Sequence, residues 1–203
     1  MCGAVGDLDT ERIAAAALAV ADERGAKGFT MRAVAEALDV TPMALYYHVA
    51  DKHALVALVV DAVVREIPLP AETGVWRDDL WEMARWMRLI SAAHPAVSQL
   101  RRHYQVWTPA VLPMTERWFR VWQASGLGAD LAVRAAAASS LAIIGVAAEE
   151  GRFDEMEVPD AAQLEQLPNA ATAFMHRRDS DAEFELVVRS LIDGLYARLS
   201  TPA

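Results

Sequence analysis

Residues 29–53, with the sequence FTMRAVAEALDVTPMALYYHVADKH, decide the fold of this chain. The segment predicts two short helices joined by a tight turn at Asp39-Val40 and followed by the start of another helix. Three residues at the predicted helix starts carry side-chain oxygens that can cap free backbone N–H groups: Thr30, Thr41 and Asp51. Pro42 fits the first position of the second helix, where its missing N–H costs nothing. This layout is typical of a helix-turn-helix, whose second helix enters the DNA major groove.

The apolar pattern of the same segment separates an inward face from an outward one. Three residues of the first short helix are predicted to face inward: Val34, Ala37 and Leu38. Arg32 and Glu36 point away from that face. On the second helix Leu45 and Val49 are four residues apart and face inward, which leaves five neighbours outward. These are Met43, Ala44, Tyr46, Tyr47 and His48.

Residues 9–67 resemble the DNA-binding domain of the tetracycline-repressor family of bacterial transcriptional regulators. The matching residues are Ile13-Ala14 and Ala17, Gly25, Gly28 to Arg32, Val34-Ala35, Leu38-Asp39-Val40, Leu45 to Val49, Lys52 and Leu55. More weakly, residues 167–168, 181–186 and 191–195 resemble the end of the ligand-binding domain of the same family. The resemblance implies an all-α fold, with a three-helix helix-turn-helix domain followed by a helical ligand-binding and dimerisation domain.

The resemblance also implies roles for ten residues of the first domain. Phosphate contacts are expected for Thr30, Tyr46, His48 and Lys52. Arg32 is expected to reach a guanine edge. The groove-facing surface is expected to comprise Thr41, Pro42, Met43, Ala44 and Tyr47. Core packing of Tyr46, and ordinary solvated positions for His48 and Lys52, are the alternative interpretations.

The charge of the chain limits how it can bind DNA. The formal net charge is −9, and residues 1–67 contain 6 Lys and Arg against 10 Asp and Glu. Binding driven by charge alone needs a basic surface. We therefore expect a few well-placed cations, reinforced by pairing of two DNA-binding domains in a homodimer. The acidic balance also leaves open an alternative, a ligand-binding or protein-interaction module whose DNA-binding head is degenerate.

The remaining composition argues against several other classes of protein. Cys2 is the one cysteine, so no disulfide framework is expected, and the N-terminus lacks a signal-peptide pattern. The longest apolar run, residues 135–148, is shorter than the roughly 20 residues of a membrane span. We expect a cytoplasmic protein without a membrane partner. No glycine-rich phosphate loop, nucleophile elbow or metal-ligand spacing is present, so neither an enzyme nor a cofactor is expected.

Two prolines, Pro68 and Pro70, predict the end of one domain and the start of a linker. We therefore expect a DNA-binding domain over residues 1–67 and an effector-binding and dimerisation domain over residues 68–203. Five helices are expected in the second domain, at 76–93, 96–104, 113–125, 129–150 and 181–199. Residues 151–180 are expected to form a loop with partial helical content.

Two helices of the second domain are candidates for a dimer interface. The small-residue surface of the first candidate comprises Leu131, Ala135, Ala138 and Ala142. The stripe of the second comprises Val188, Leu191 and Leu195. The resemblance implies a four-helix bundle between two subunits, and packing inside one subunit is the alternative. A two-fold dimer implies double-stranded DNA with a near-palindromic operator.

Aromatic residues of the second domain are candidates for a small-molecule effector pocket. The residues chosen are Trp86, His103, Trp107, Trp118 and Trp122. An ordinary core is the alternative for each of them. Tetracycline itself is disfavoured, because residues 65–68 contain no histidine where the tetracycline-binding members have one. The expected mechanism is that an effector tilts the helix ending near Ile67, which changes the spacing of the two DNA-binding heads.

Overall fold

The computed structural model describes residues 8–154, 159–175 and 179–201, a range that leaves out Cys2. In this part of the chain the secondary structure consists of eleven helices. They are α1 (Thr10–Gly28), α2 (Met31–Ala37), α3 (Pro42–His48), α4 (Lys52–Glu66), α5 (Trp76–Ala93), α6 (Pro95–Tyr104), α7 (Val111–Ala124), α8 (Ala129–Asp154), α9 (Ala161–Leu164), α10 (Pro168–Met175) and α11 (Ser180–Ser200).

The three predicted caps set the starts of α2, α3 and α4. The hydroxyls of Thr30 and Thr41 each accept a hydrogen bond, at 3.1 Å, from the backbone N–H three residues further on. The Asp51 carboxylate accepts the equivalent bond at 2.8 Å. Between α2 and α3, Asp39 takes a left-handed conformation with φ of 55°, which aspartate tolerates better than most residues. The prediction of a capped helix-turn-helix is confirmed in these details.

Gly25 bends the end of α1. Its φ of 66° and ψ of 176° are non-helical, and its carbonyl accepts the N–H of Phe29 at 3.1 Å. A residue with a side chain is strained at this φ, so glycine suits the position. The bend turns the chain from α1 into α2.

The first core joins helices from both sides of the predicted domain boundary. Its fully buried centre includes Ile13, Leu45 and Val59, and α6 adds Val97 and Leu100 to the same cluster. Helix α6 packs against α1 and α4, so the DNA-binding head shares its core with the following segment. The division at residue 67 remains a prediction about domains, and the apolar packing continues across it.

Helix α2 buries a different set of residues from the one predicted. Ala37 is exposed, whereas Ala33 and Ala35 are buried beside Val34 and Leu38. The prediction for Ala37 is wrong because α2 is covered by α1 on one side and by α3 on another. Packing against two helices buries consecutive residues in the middle of α2 and leaves Ala37, at its end, exposed.

The second core is formed by α5, α7, α8 and α11. Its fully buried side chains include Leu80, Met83, Trp122, Ile143 and Phe184. Helix α5 has the predicted bounds, and the other helices differ from their predicted ranges by a few residues. By length and composition alone, residues Ala129–Glu150 of α8 pass as a candidate membrane span within the described residues. One face of this helix lies in the second core.

Ion pairs fasten the second core at its edge. Arg88 of α5 donates to Glu150 of α8 and to Asp181 of α11, each at 2.7 Å. The hydrogen bond to Glu150, with that to Asp181, raises the pKa of the Arg88 guanidinium. The guanidinium also lies 4.7 Å from the ring centroid of Phe184. One arginine therefore connects three helices.

The linker between α4 and α5 is held against α7. Arg117 is buried and donates to the backbone carbonyls of Pro70 and Ala71. Arg120 pairs with Glu72 at 2.6 and 3.1 Å, and this hydrogen bond lowers the pKa of the Glu72 carboxyl. The linker is consequently fixed in place by two arginines of a single helix.

Candidate DNA interface, dimer surface and pocket

Helix α3 presents an aromatic and apolar outer surface. Tyr47 is 85% exposed, Met43 66% and Tyr46 48%. Leu45 and Val49, at 0% and 3%, are buried beneath it in the first core. Large exposed apolar side chains grouped on a helix of seven residues are typical of a contact surface.

The other predicted DNA contacts lie on exposed or half-buried positions. Exposed side chains are Thr30, Arg32, Thr41, Pro42 and His48, and Ala44 is half-buried. The ammonium of Lys52 lies 5.8 Å from the ring centroid of Phe29 and 5.6 Å from that of Tyr104. Arg24, a further cation of this region, pairs with Glu36 at 3.4 Å. The roles of the ten residues in binding DNA stay predictions.

Two side chains of the second domain touch the head directly. Tyr104, at the end of α6, contacts Lys52 and packs edge-on against His53 with 6.4 Å between ring centroids. His94, between α5 and α6, lies 3.0 Å from Asp22 of α1 and 3.3 Å from Glu66 of α4. The residues at the two ends of α6 therefore contact the two ends of α4.

A pocket lies between α4, α5, α6, α7 and α8. The space between its atoms is about 620 Å³, counting the part that is open to solvent. Its lining residues are Val60, Val63, Val64, Trp86, Met87, Ile90, Ser91, Val97, Ser98, Arg101, Arg102, Val111, Met114, Ile144 and Ala147. A mostly apolar wall with a few polar groups is typical of a small-molecule site.

Trp86 connects this pocket to the end of α4. Its indole is buried, and its Nε1 donates a hydrogen bond of 2.9 Å to the carbonyl of Ile67. Ile67 is the residue that follows α4, and Val60, Val63 and Val64 of the same helix line the pocket. A molecule in the pocket therefore contacts both the helix and the side chain that holds its last turn.

The other four residues predicted for the pocket do not line it. Trp118 and Trp122 are buried in the second core, where they donate to the Ala136 carbonyl at 2.9 Å and the Ser139 hydroxyl at 3.0 Å. Their prediction is wrong because the apolar face of α7 turns them towards α8.

The remaining two predictions fail for a different reason. His103 is exposed and packs edge-on against Tyr104, and Trp107 is 66% exposed. Helix α6 ends at Tyr104, where Gln105 takes a left-handed conformation with φ of 50°. His103 lies on the exposed side of α6, and Trp107 comes after the turn at Gln105, so neither side chain lines the pocket.

Arg101 is one of the polar lining residues that the sequence prediction missed. Its Nε is buried and has no hydrogen-bond partner among the described residues. Burial lowers the pKa of its guanidinium, and the neighbouring charge of Arg102 adds to the effect. The signal was an arginine four residues after Val97, because that spacing places it on the inward stripe of α6.

The predicted dimer residues divide between the subunit core and its surface. Ala135 and Val188 are fully buried inside the subunit, so their assignment to the interface is corrected. Leu131, Ala142, Leu191 and Leu195 are half-buried, and Ala138 is exposed. Beside them lie exposed apolar side chains that the prediction missed: Val133, Leu141, Leu186 and Val187. We call the exposed side of these two helices the outer α8–α11 face.

Two family models match the chain. The model described as bacterial regulatory proteins, tetR family, matches residues 13–59. The model described as tetracyclin repressor-like, C-terminal domain, matches residues 68–199. The first match covers parts of α1 and α4 with α2 and α3 between them, and the second runs from the linker into α11.

Similar proteins are bacterial regulators. An HTH-type transcriptional regulator of Saccharopolyspora erythraea is 33% identical over 144 residues, which is 70% of this chain and 61% of that relative's length. Tetracycline repressor protein class G of Vibrio anguillarum is 31% identical over 196 residues, 92% of this chain and 93% of the relative. The solved structure of Streptomyces coelicolor ActR in complex with actinorhodin has a TM-score of 0.78 and 26% identity, covering 97% of this chain and 100% of ActR.

Proposed function

Because the chain belongs to the tetR family of bacterial regulatory proteins, we propose that it is a transcriptional repressor released from its operator by a small-molecule effector. The observation that supports this most directly is the shared wall of the pocket. Val60, Val63 and Val64 come from α4 of the DNA-binding head, and the rest of the lining comes from α5 to α8. A ligand in this pocket is thereby in contact with the part of the molecule that touches DNA.

On the DNA side, α3 is the recognition helix in this proposal. Tyr46, His48, Lys52 and Thr30 bind phosphates, and Arg32 contacts a guanine edge. Met43 and Ala44 meet thymine methyl groups, with Thr41, Pro42 and Tyr47 completing the groove-facing surface. Because α3 offers few hydrogen-bonding side chains, much of the specificity comes from the shape of the DNA.

Two copies of the chain act together through the outer α8–α11 face. Leu141 of α8 is 76% exposed between the small residues Ala138 and Gly145, and Leu186 of α11 is 68% exposed. A second copy buries these side chains and doubles the number of DNA contacts. The operator is then near-palindromic, with half-sites about one helical turn or a multiple of it apart.

The effector acts by moving α4. Ligand between α4 and α6 changes the packing of Val60 and Val63 and the position of Trp86, which holds the Ile67 carbonyl. Tilting α4 changes the separation of the two heads and weakens operator binding. Typical allosteric couplings of about 1–3 kcal/mol are sufficient for such release. The protein acts in the cytoplasm, where its DNA is, and catalyses no reaction.

The proposal is tested by fluorescence anisotropy with the palindromic DNA upstream of the protein's own gene and a scrambled duplex, at two salt concentrations. We expect preference for the palindrome with a shallow salt dependence, because few cations take part. Arg32→Ala should abolish the preference while circular dichroism and the dimer stay unchanged. Arg65→Ala, which removes the same charge from the far end of α4, is the matched control.

Two results contradict this function. One is equal affinity for both duplexes at both salt concentrations. The other is an Arg32→Ala variant that binds as well as Arg65→Ala. Either result favours the alternative, a ligand-binding or protein-interaction module with a head that no longer reads DNA.

A further inference from the structure

The pocket wall contains a half-buried cation, Arg101, that no carboxylate of the described residues pairs with. Arg101 lines the pocket, and its Nε is buried without a hydrogen-bond partner among the described residues. Arg88, by contrast, pairs with the carboxylates of Glu150 and Asp181. Arg101 takes part in none of the ion pairs between described residues, and burial lowers the pKa of its guanidinium.

Such a position is unfavourable for the free protein. Removing a guanidinium from water without an opposite charge destabilises the folded state, and proteins usually provide a partner for it. The guanidinium can bind a carboxylate through two parallel hydrogen bonds, which neutral ligands cannot reproduce with equal strength. An anionic group on the ligand therefore supplies the negative charge that Arg101 lacks in the free protein.

The rest of the lining favours the same ligand charge. Arg102 adds a second positive charge, and Ser91 and Ser98 add hydroxyl donors. None of the described residues that line the pocket is acidic, although the whole chain carries a formal charge of −9. Among these residues the positive charge is thus concentrated at α6.

We propose that the effector is an amphipathic organic carboxylate whose anionic end binds Arg101. Its apolar or aromatic body lies against Trp86, Met87 and Ile90 of α5 and the valines of α4. This assignment rests on the proposed function of the pocket and adds the chemical class of its ligand. Arg101 is then the residue that selects acids over neutral molecules of the same shape.

The test compares pairs of compounds that differ in charge and little in shape. The aromatic pair is 2-naphthoate and 2-naphthamide, and the aliphatic pair is decanoate and decanamide. Dissociation constants are measured by calorimetry with the full-length protein at neutral pH, where both acids are ionised. We expect at least one acid to bind about 10- to 100-fold more tightly than its amide, as for hydrogen bonds between charged groups.

Two variants assign the preference to one side chain. Arg101→Gln should reduce the affinity for the acid by about 10- to 100-fold and leave that for the amide nearly unchanged. Arg65→Gln removes the same charge from an exposed position that does not line the pocket and should change the affinity for the acid by less than about 3-fold. The melting temperature of Arg101→Met should equal or exceed that of the wild type, because the buried charge is gone.

Three results overturn the assignment. The acids of both pairs bind no more tightly than the amides, including the case in which no compound binds. Arg101→Gln keeps the preference for the acid. Arg101→Met melts well below the wild type, which shows that Arg101 stabilises the fold. Operator binding is measured separately without ligand, so a failed ligand test with intact DNA binding rejects the carboxylate and leaves the regulator in place.

Discussion

Two arginines of this chain, the buried Arg117 and the half-buried Arg101, have different surroundings. Arg117 is 8% exposed, donates to the carbonyls of Pro70 and Ala71, and lies 3.7 Å from the Glu72 carboxylate. Arg101 lines the pocket and takes part in none of the ion pairs between described residues, although the Nε of both arginines is buried without a hydrogen-bond partner. The first is a structural cation that fixes the linker. The second is the cation that we propose binds a ligand, so an unpartnered Nε alone does not tell the two roles apart.

The largest expected effect on the free energy of unfolding comes from replacing Arg117, the structural cation. Arg117→Met leaves the linker carbonyls of Pro70 and Ala71 without their donor, so the free energy of unfolding should fall by about 3 kcal/mol. Urea unfolding at fixed protein concentration measures it. Arg120→Met on the same helix is the control, because its side chain is 53% exposed and should contribute much less. Equal losses from both variants would remove the distinction between buried and exposed arginines here.

The next effect concerns the contact between the pocket and the linker. Trp86→Phe removes the hydrogen bond to the Ile67 carbonyl and leaves a small cavity, at a cost of about 2 kcal/mol. It should also reduce the change in operator affinity that a bound ligand causes. Trp107→Phe serves as the control, because this indole is 66% exposed and lies outside the pocket. Unchanged stability and an unchanged effect of the ligand on operator affinity in Trp86→Phe would show that this hydrogen bond contributes to neither.

The sequence was informative about the head because its signals are local. Thr30, Thr41 and Asp51 act on backbone groups within three residues, and the inward residues Leu45 and Val49 lie in α3 and directly after it. The bounds of α5 were predictable for the same reason, since Pro95 follows its last turn and begins the next helix. Physical chemistry over a few neighbouring residues settles these features.

The pocket could not be predicted in the same way, because five helices build it. Val60 and Ala147 line one cavity although 87 positions separate them in the chain, so their proximity depends on how all five helices pack.

The prediction of the dimer surface failed for another reason. Helix α8 is rich in alanine and poor in polar residues, so its pattern does not say which face turns inward. Ala135 was therefore placed on the surface although it is fully buried.

Replacing Arg101, the proposed ligand-binding cation, should have a smaller effect of opposite sign on the free energy of unfolding. Arg101→Met is the same substitution as Arg117→Met, yet it should raise the free energy of unfolding by about 1 kcal/mol, because it replaces a half-buried charge that has no carboxylate partner with an apolar chain. Urea unfolding of the two variants side by side gives the comparison directly. A saturating carboxylate ligand should reverse the order of wild type and Arg101→Met, since only the wild type binds it tightly. Destabilisation of both variants by a similar amount would contradict the contrast between the two arginines.

The last prediction concerns Tyr47, an exposed side chain that contrasts with both arginines. Tyr47 is 85% exposed on α3, so Tyr47→Ala should change the free energy of unfolding by less than about 0.5 kcal/mol. Its loss should nevertheless weaken binding to the palindromic duplex about 10-fold or more, because the proposed role of the tyrosine is exercised only on DNA. Anisotropy titrations measure the affinity, with Leu167→Ala, an exposed apolar residue between α9 and α10, as the control that should leave it unchanged. If Tyr47→Ala binds DNA like Leu167→Ala, the exposed aromatic surface of α3 has no part in recognition, and the recognition helix must be sought elsewhere in the head.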